Sequence, residues 1–209
     1  MAGEVRDILV AVAGLTPQVI TETLYYLTQV RRPPVVPAAV YVLTTRRGQA
    51  CLLTHLLAPE EGRFFAFCRE YGLEAAAIAV ELQVLSDARG QPLDDIRTPE
   101  DSAAVADQIA ALVARLAADP ATRLHCSIAG GRKTQAVLLG FALQLYGRPQ
   151  DTLLHVLVSE AAEAPPRLLL SAAHAAAAAR PRRQDLRRQP GARRRRRDSL
   201  CAPAPGAGR

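Results

Sequence analysis

The feature that most constrains this chain is a regular alternation of short apolar runs with longer segments of helical periodicity. Each run has the length of a β-strand and few polar residues, which is typical of a strand covered on both faces. The alternation predicts an α/β fold with a mainly parallel sheet and helices on both of its faces. The predicted strands are residues 7–13, 38–44, 77–85, 123–129 and 152–159.

The helical segments between the strands carry start and stop signals. Thr16 is expected to cap the first helix, with Pro17 at its first position. The sequence Thr98-Pro99-Glu100-Asp101 opens a later helix with a cap, a proline and two acids in its first turn. The last helix, from Arg132, is expected to bury one stripe, formed by Val137, Phe141 and Leu145.

Three of the predicted loops follow strands and are expected to meet. They are residues 14–18, 44–48 and 130–134. The carboxyl ends of parallel strands share one edge of a sheet, and ligands of open α/β sheets bind at that edge. The sequence therefore predicts a binding site built from these loops.

The loop at 130–134 has the chemistry of an anion site. Gly130 and Gly131 allow a ligand to come close to the backbone, and the helix that follows directs free N–H groups at it. Lys133 is the only lysine in a chain with 25 arginines. We therefore expect an ammonium to be needed at this position, although an ordinary first-turn surface lysine is the alternative.

The charge of the chain is unevenly distributed. Residues 1–166 hold 14 basic and 18 acidic groups, a net charge of −4, whereas residues 167–209 hold 12 arginines and 2 aspartates, a net charge of +10. A general nucleic-acid surface on the first segment is not supported, and no direct DNA binding is expected there. Residues 1–166 are predicted to form one domain, and residues 167–209 a disordered tail or a basic arm that binds nucleic acid.

Several classes of site and location are disfavoured by the motifs. The four cysteines form no CxxC pair and the histidines no HExxH pattern, so neither a metal nor another cofactor is expected. The motifs of a P-loop, a dinucleotide-binding turn and a serine-hydrolase elbow are also missing. Without a signal peptide or a long apolar run, a cytoplasmic protein with no membrane association is expected.

Several motifs in the same order resemble those of one known family. The segment Gly14-Leu15-Thr16-Pro17-Gln18 and its continuation to Leu24 resemble the N-terminal signature of the CARF-domain proteins of type III CRISPR systems, in particular the stand-alone ring nucleases. The resemblance covers about residues 5–160 and continues through Thr44-Thr45, residues 93–98 with Asp101, residues 127–134, residues 147–151 and residues 155–158.

This resemblance implies a Rossmann-like homodimer that binds cyclic oligoadenylate, expected to be the tetraadenylate, across its two-fold axis. It also implies cleavage without a metal, in which a ribose 2′-OH attacks the adjacent phosphodiester and leaves a 2′,3′-cyclic phosphate. Lys133 and Thr16 are the expected catalytic residues. The expected ligand-binding residues are Gly14, Leu15, Gln18, Thr45, Arg46, Gly130, Gly131, Arg132 and Thr134.

Plainer interpretations stay open for several of these residues. Thr16 is a good helix cap whether or not it takes part in catalysis. Arg132 either contacts phosphate, which we favour, or pairs with an acid of the 94–101 segment. Asp94, Asp95 and Arg97 are expected to form a structural ion-pair network rather than to contact adenine, and His125 and His155 to be core histidines within strands.

Two alternatives to the enzyme are also open. The same domain would serve as a sensor if it bound the cyclic ring without cutting it. A weaker hypothesis is a regulator that contacts nucleic acid through the arginine-rich tail.

Overall fold

The structure, a computed structural model, describes residues 5–156. Its five strands form one sheet in which every pairing is parallel and the spatial order is β3-β2-β1-β4-β5. This is a Rossmann-like α/β fold, which confirms the predicted fold class. The strands are β1 (Arg6–Val12), β2 (Ala39–Thr44), β3 (Ala79–Val84), β4 (Thr122–Ser127) and β5 (Thr152–Leu154).

Helices connect the strands in the order expected for parallel crossovers. A π-helical turn at Tyr26–Val30 extends the first helix, and a short 3-10 helix, Ala75–Ala77, precedes β3. No helix in the described part of the chain is long and apolar enough to cross a bilayer. The helices are α1 (Gln18–Tyr25), α2 (Arg46–His55), α3 (Arg63–Glu70), α4 (Pro99–Ala117) and α5 (Lys133–Tyr146).

The central strand β1 explains why the apolar runs are nearly continuous. Ile8, Val10 and Val12 enter a core that α4 and α5 cover, whereas Leu9 and Ala11 enter a second core with α1 and α3 on the opposite face. Successive side chains of a strand point to opposite faces, so both sets are buried.

The start of α4 agrees with its sequence signal. The Thr98 hydroxyl accepts a hydrogen bond from the Asp101 N–H at 3.0 Å, and the Asp101 carboxylate accepts one from the Thr98 N–H at 3.1 Å. This reciprocal capping box lies immediately before an apolar stripe, as predicted.

Three local predictions are wrong. Pro17, not Thr16, is the N-cap of α1, and Thr16 is exposed. The stripe formed by Val137, Phe141 and Leu145 is 54%, 62% and 74% exposed, because α5 instead buries Gln135, Leu139 and Ala142.

His155 follows β5 and is exposed, whereas a core position within a strand was expected. The end of the predicted fifth strand (157–159) and the predicted tail (167–209) lie outside the described residues.

His125, by contrast, is a fully buried histidine with hydrogen bonds at both ring nitrogens. Nδ1 lies 3.3 Å from the Arg31 guanidinium and 2.9 Å from the Thr152 hydroxyl; because a guanidinium can only donate, Nδ1 is the acceptor, and the protonated Nε2 donates a hydrogen bond to Asp7 at 2.6 Å. Asp7 also accepts two hydrogen bonds from Arg123, at 2.6 and 2.9 Å. The prediction of a core histidine is confirmed here, and this polar cluster ties β1, β4 and β5 together.

Burial, with added repulsion from the Arg31 and Arg123 guanidinium groups, lowers the pKa of His125 below its usual 6.5 even though Asp7 opposes the shift. The folded state therefore keeps a neutral imidazole at a pH where the unfolded chain already binds a proton. We expect the free energy of unfolding to fall as pH drops through 6.5, by at most about 1.4 kcal/mol per pH unit. Urea unfolding at pH 7.5 to 5 measures this slope.

His125→Gln keeps a donor for Asp7 and removes the titration, so it should flatten the slope. His155→Gln, at an exposed position, should leave it unchanged. An equally steep slope in His125→Gln would assign the pH dependence to other groups.

Candidate functional site

The three loops predicted to share an edge do come together. A methyl group on Gly14 would lie 3.7 Å from the Cα of Gly131, and one on Gly48 would lie 3.2 Å from the carbonyl oxygen of Gly14. The loop after β1 therefore lies between the loops after β2 and β4. This arrangement follows from the sheet order, in which β1 is flanked by β2 and β4.

The glycine pair allows the turn between β4 and α5 to pack closely. A Cβ on Gly130 would lie 2.6 Å from the Val12 carbonyl oxygen and 2.7 Å from the Val19 side chain, which is too close for any side chain. Gly131 has a φ of +71°, a left-handed conformation that disfavours other residues. The turn is thus shaped by backbone contacts and leaves its outer surface free of side chains from these two positions.

Lys133 is the first residue of α5 and is exposed. Among the described residues, no carboxylate lies within ion-pair distance of its ammonium. The adjacent N-terminal N–H groups of a 14-residue helix add to the positive potential there. Lys133 and Thr134 are therefore both exposed at a position where an anion would be stabilised.

Gln135 is a residue of this site that the sequence interpretation missed. Its side-chain Oε1 accepts a hydrogen bond from the N–H of Arg132 at 2.8 Å, and the residue is 1% exposed. A glutamine three residues after the cap is a known helix-start signal, so the spacing from Arg132 to Gln135 was the available clue. Gln135 fixes the direction in which α5 leaves the glycine turn.

The loop after β1 presents exposed groups to the same edge. Leu15 is 62% exposed, Thr16 is exposed, and Gln18 is partly buried at the start of α1. The Leu15 carbonyl accepts a hydrogen bond from the Cys51 thiol at 3.5 Å, which connects this loop to α2. The Thr16 hydroxyl makes no hydrogen bond to another described residue.

Thr45 and Arg46 form the start of α2. The Thr45 hydroxyl accepts from the Gly48 N–H at 3.4 Å, so this side chain caps the helix. The Arg46 guanidinium donates from Nε and Nη2 to the two carboxylate oxygens of Asp94, at 2.5 and 2.8 Å. Arg46 thus reaches the loop edge as half of an ion pair.

Arg132 forms the same kind of pair with Asp95. Its Nε donates to Oδ1 at 2.6 Å and its Nη2 to Oδ2, and Arg97 approaches the same carboxylate at 3.5 Å. The hydrogen bond from Arg132 holds the pKa of Asp95 below its usual value. The predicted ion-pair network of Asp94, Asp95 and Arg97 is confirmed, whereas phosphate contact by Arg132 stays a prediction.

The assembled edge is a positively charged, glycine-lined surface. It combines the Lys133 ammonium, which no described carboxylate pairs, with two ion-paired guanidinium groups and the N-terminal N–H groups of α5, and such groups are usual ligands of phosphate. Within residues 5–156, no three His, Cys, Asp or Glu side chains are grouped as a metal site requires. The chemistry this surface can provide is anion binding and stabilisation of developing negative charge.

Two glycine substitutions test the close packing of the turn. Gly130→Ala must displace both the Val12 carbonyl and the Val19 side chain, and we expect a loss of about 1–3 kcal/mol in unfolding free energy. Gly140→Ala is the matched control, since a Cβ there meets nothing within 4 Å and replaces a mid-helix glycine. It should stabilise by about 0.5–1 kcal/mol. Equal stability of the two variants in chemical denaturation would contradict the packing described.

The comparisons with curated proteins and with solved structures give no information about function. No curated protein matches this chain. A crystal structure assigned to a UDP-N-acetylglucosamine 2-epimerase from Listeria monocytogenes shares 12% identity at a TM-score of 0.37. The match covers 73% of this chain but only 31% of that one, and it carries no functional argument.

A protein-family model matches a larger part of the chain. The model of the family described as CRISPR-associated protein NE0113 matches residues 16–191. The match begins at Thr16 within the loop after β1, includes the loops at residues 44–48 and 130–134, and spans well over half of the chain. This protein therefore belongs to the CRISPR-associated protein NE0113 family.

Proposed function

We propose that this CRISPR-associated protein is a CARF-domain ring nuclease that binds and cleaves cyclic oligoadenylate, namely the tetraadenylate, without a metal, and so switches off type III CRISPR signalling. The observation that carries the proposal is the exposed Lys133, which has no carboxylate partner within residues 5–156 and follows Gly131, the residue that adjoins the loop at Gly14. The family assignment supports a role in CRISPR systems. A cyclic RNA offers a phosphodiester to each of the cationic groups at this edge.

The proposed reaction needs no group beyond the ligand and the protein. The ribose 2′-oxygen forms a bond to the adjacent phosphorus and loses its proton, while the bond from phosphorus to the 5′-oxygen breaks and that oxygen gains a proton. The products are a linear oligonucleotide with a 2′,3′-cyclic phosphate and a free 5′-hydroxyl. Negative charge develops on the non-bridging oxygens, where the Lys133 ammonium and the N–H groups of Gly131, Lys133 and Thr134 would stabilise it; the Arg132 N–H already donates to Gln135.

Thr16 is proposed to orient the ribose or phosphate from the opposite loop. Its hydroxyl is exposed and is not used to cap α1, so it can donate to or accept from a ligand. In-line placement of the 2′-oxygen is itself a large contribution to such a reaction. The loops 14–18 and 130–134 contain no histidine or carboxylate to act as a general base, so we expect slow turnover that depends on positioning.

A homodimer is proposed because α5 leaves an apolar stripe uncovered within the described structure. Val137, Phe141 and Leu145 follow Lys133 at intervals of four residues, so the stripe continues from the site along one side of the helix. A second copy packed on this stripe would shield it from water and bring a second Lys133 towards the first. Two cationic loops facing each other would suit a ring of phosphates.

The alternative is a sensor that binds the ring without cleaving it. The lack of a carboxylate or imidazole on the two loops favours this alternative, because binding needs only the cationic surface. The regulator that acts through the arginine-rich tail involves residues outside the described structure. Turnover under metal-free conditions distinguishes the first two.

The catalytic prediction is tested with radiolabelled cyclic tetraadenylate in EDTA under single-turnover conditions. The wild type should yield a linear product with a cyclic phosphate, and Lys133→Ala should lower the cleavage rate by about 10²–10³-fold, because one donor to the developing charge is lost. Arg63→Ala is the matched control, since Arg63 is likewise the exposed first residue of a helix, α3.

The outcomes separate the candidates. Ring binding by the wild type without product, even at excess protein, would establish the sensor and reject the enzyme. Full activity of Lys133→Ala would reject the proposed mechanism.

The dimer is tested by light scattering after size exclusion. We expect a mass near twice the 22.4 kDa of the chain for the wild type, and a monomer for Phe141→Glu, because a charge would then have to be buried in the interface. Val36→Glu, at an equally exposed apolar residue away from α5, should remain dimeric. A monomeric wild type at micromolar concentration would refute the interface.

A further inference from the structure

We propose that two adjacent aspartates, Asp94 and Asp95, are positioning residues of the site. They hold two arginine side chains in the orientation in which these bind phosphate groups of a polyanionic ligand. The inference rests on the proposed function and extends it to residues that do not touch the reacting atoms.

The two arginines come from separate elements and converge on one short segment. Arg46 is the first residue of α2, which follows β2, and Arg132 is the cap of α5, which follows β4. β1 lies between those two strands. Because their partners Asp94 and Asp95 are neighbours in sequence, both guanidinium groups are brought to the same part of the loop edge.

The pairs leave most of the arginine donors free. Each guanidinium uses Nε and Nη2 for its aspartate, so the pairing is side-on in both cases. A guanidinium has five N–H groups, and two are used here. Neither Nη1 makes a hydrogen bond within residues 5–156, so a phosphate can bind at Nη1 while the aspartate keeps its place.

The aspartates themselves are held firmly. The Leu93 carbonyl accepts from the Arg46 N–H at 2.8 Å, and the Leu93 N–H donates to the Leu85 carbonyl at 2.9 Å. Ile96 is buried in the core on the other side of the pair, and the Asp95 side chain is only 20% exposed. The Asp95 carboxylate is therefore the more firmly held of the two, since the Asp94 side chain is 51% exposed and is fixed mainly through the backbone of the segment. The paired arginine side chains are 65% exposed for Arg46 and 54% exposed for Arg132.

This arrangement has a stronger effect on ligand binding than on stability. Exposed ion pairs contribute little to folding. An arginine that is already ordered, however, loses less conformational freedom when a ligand binds, and we expect a gain in affinity of about two- to tenfold for each. A carboxylate that did not orient an arginine would only repel an anion. Removing the aspartate charge should therefore weaken ligand binding if the aspartate positions the arginine, and strengthen ligand binding if it only repels the anion.

The first measurement follows the arginine side chains in the full chain by 15N–1H NMR without ligand. Hindered rotation in the bidentate pair should give resolved Nη signals for Arg132 in the wild type, and these should merge in Asp95→Asn. Asp119→Asn is the control, since Asp119 pairs with Arg6 at 2.6 Å at the opposite edge of the sheet. Freely rotating Arg132 in the wild type would overturn the inference.

The second measurement is a double-mutant cycle on ligand affinity, with cyclic tetraadenylate and inorganic pyrophosphate as separate probes. Asp95→Asn should weaken binding about two- to tenfold in the wild type and have no such effect in Arg132→Ala, because the aspartate acts through the arginine. Tighter binding by the same factor in both backgrounds would show that Asp95 only repels anions, and would overturn the inference.

The two probes separate this inference from the function on which it rests. If pyrophosphate shows the coupling and the cyclic ring does not bind, the proposed function fails and the positioning role stands. If the ring binds but neither probe shows coupling, the positioning role fails alone. If neither probe binds the wild type, both are rejected.

Discussion

The parallel pairing of β1 with β4 is the interaction on which the rest of the structure depends. Arg6 to Ala11 pair in register with Thr122 to Ser127, more than a hundred residues away along the chain. This register brings Gly130 against the Val12 carbonyl and Gly131 next to Gly14. A single strand pairing thus forms the core on both faces and also brings together the two loops of the candidate site.

The cationic side chains at the amino ends of the strands are paired differently from those at the carboxyl ends. Near the amino ends of β1 and β4, the Arg123 guanidinium is matched by Asp7, whose pKa is lowered because the hydrogen bonds from Arg123 and His125 outweigh the effect of burial. At the carboxyl ends, Arg46 and Arg132 are paired with Asp94 and Asp95, whose side chains are 51% and 20% exposed, and Lys133 has no carboxylate partner among the described residues. At these carboxyl ends the backbone N–H groups at the start of α5 add to the positive charge of Lys133.

Much of this arrangement follows from local sequence signals. The all-apolar runs predict strands covered on both faces, and their alternation with helices predicts parallel pairing, which determines that the three loops share an edge. The capping box at Thr98 is equally local, since all of its atoms lie within four residues. Such features need no knowledge of distant parts of the chain.

The features that could not be predicted depend on tertiary contacts. Periodicity identifies the apolar stripe of Val137, Phe141 and Leu145, but not whether that stripe faces the sheet. The side of α5 that packs inward includes Gln135, whose amide is needed at the glycine turn. The apolar neighbours of His155 predict that it lies within a strand, yet the hydrogen-bonded pairing of β5 with β4 ends at Leu154.

The error at Thr16 bears on the chemistry. As a helix cap, its hydroxyl would have been committed to a backbone N–H, and a role in ligand binding would have required breaking that bond. Because Pro17 occupies the cap position, α1 begins without the threonine side chain. The hydroxyl is exposed on the loop that adjoins Gly131, so a ligand can reach it without breaking a helix-capping hydrogen bond. The proposed contact of Thr16 with a ligand opposite Lys133 would therefore not compete with the start of α1.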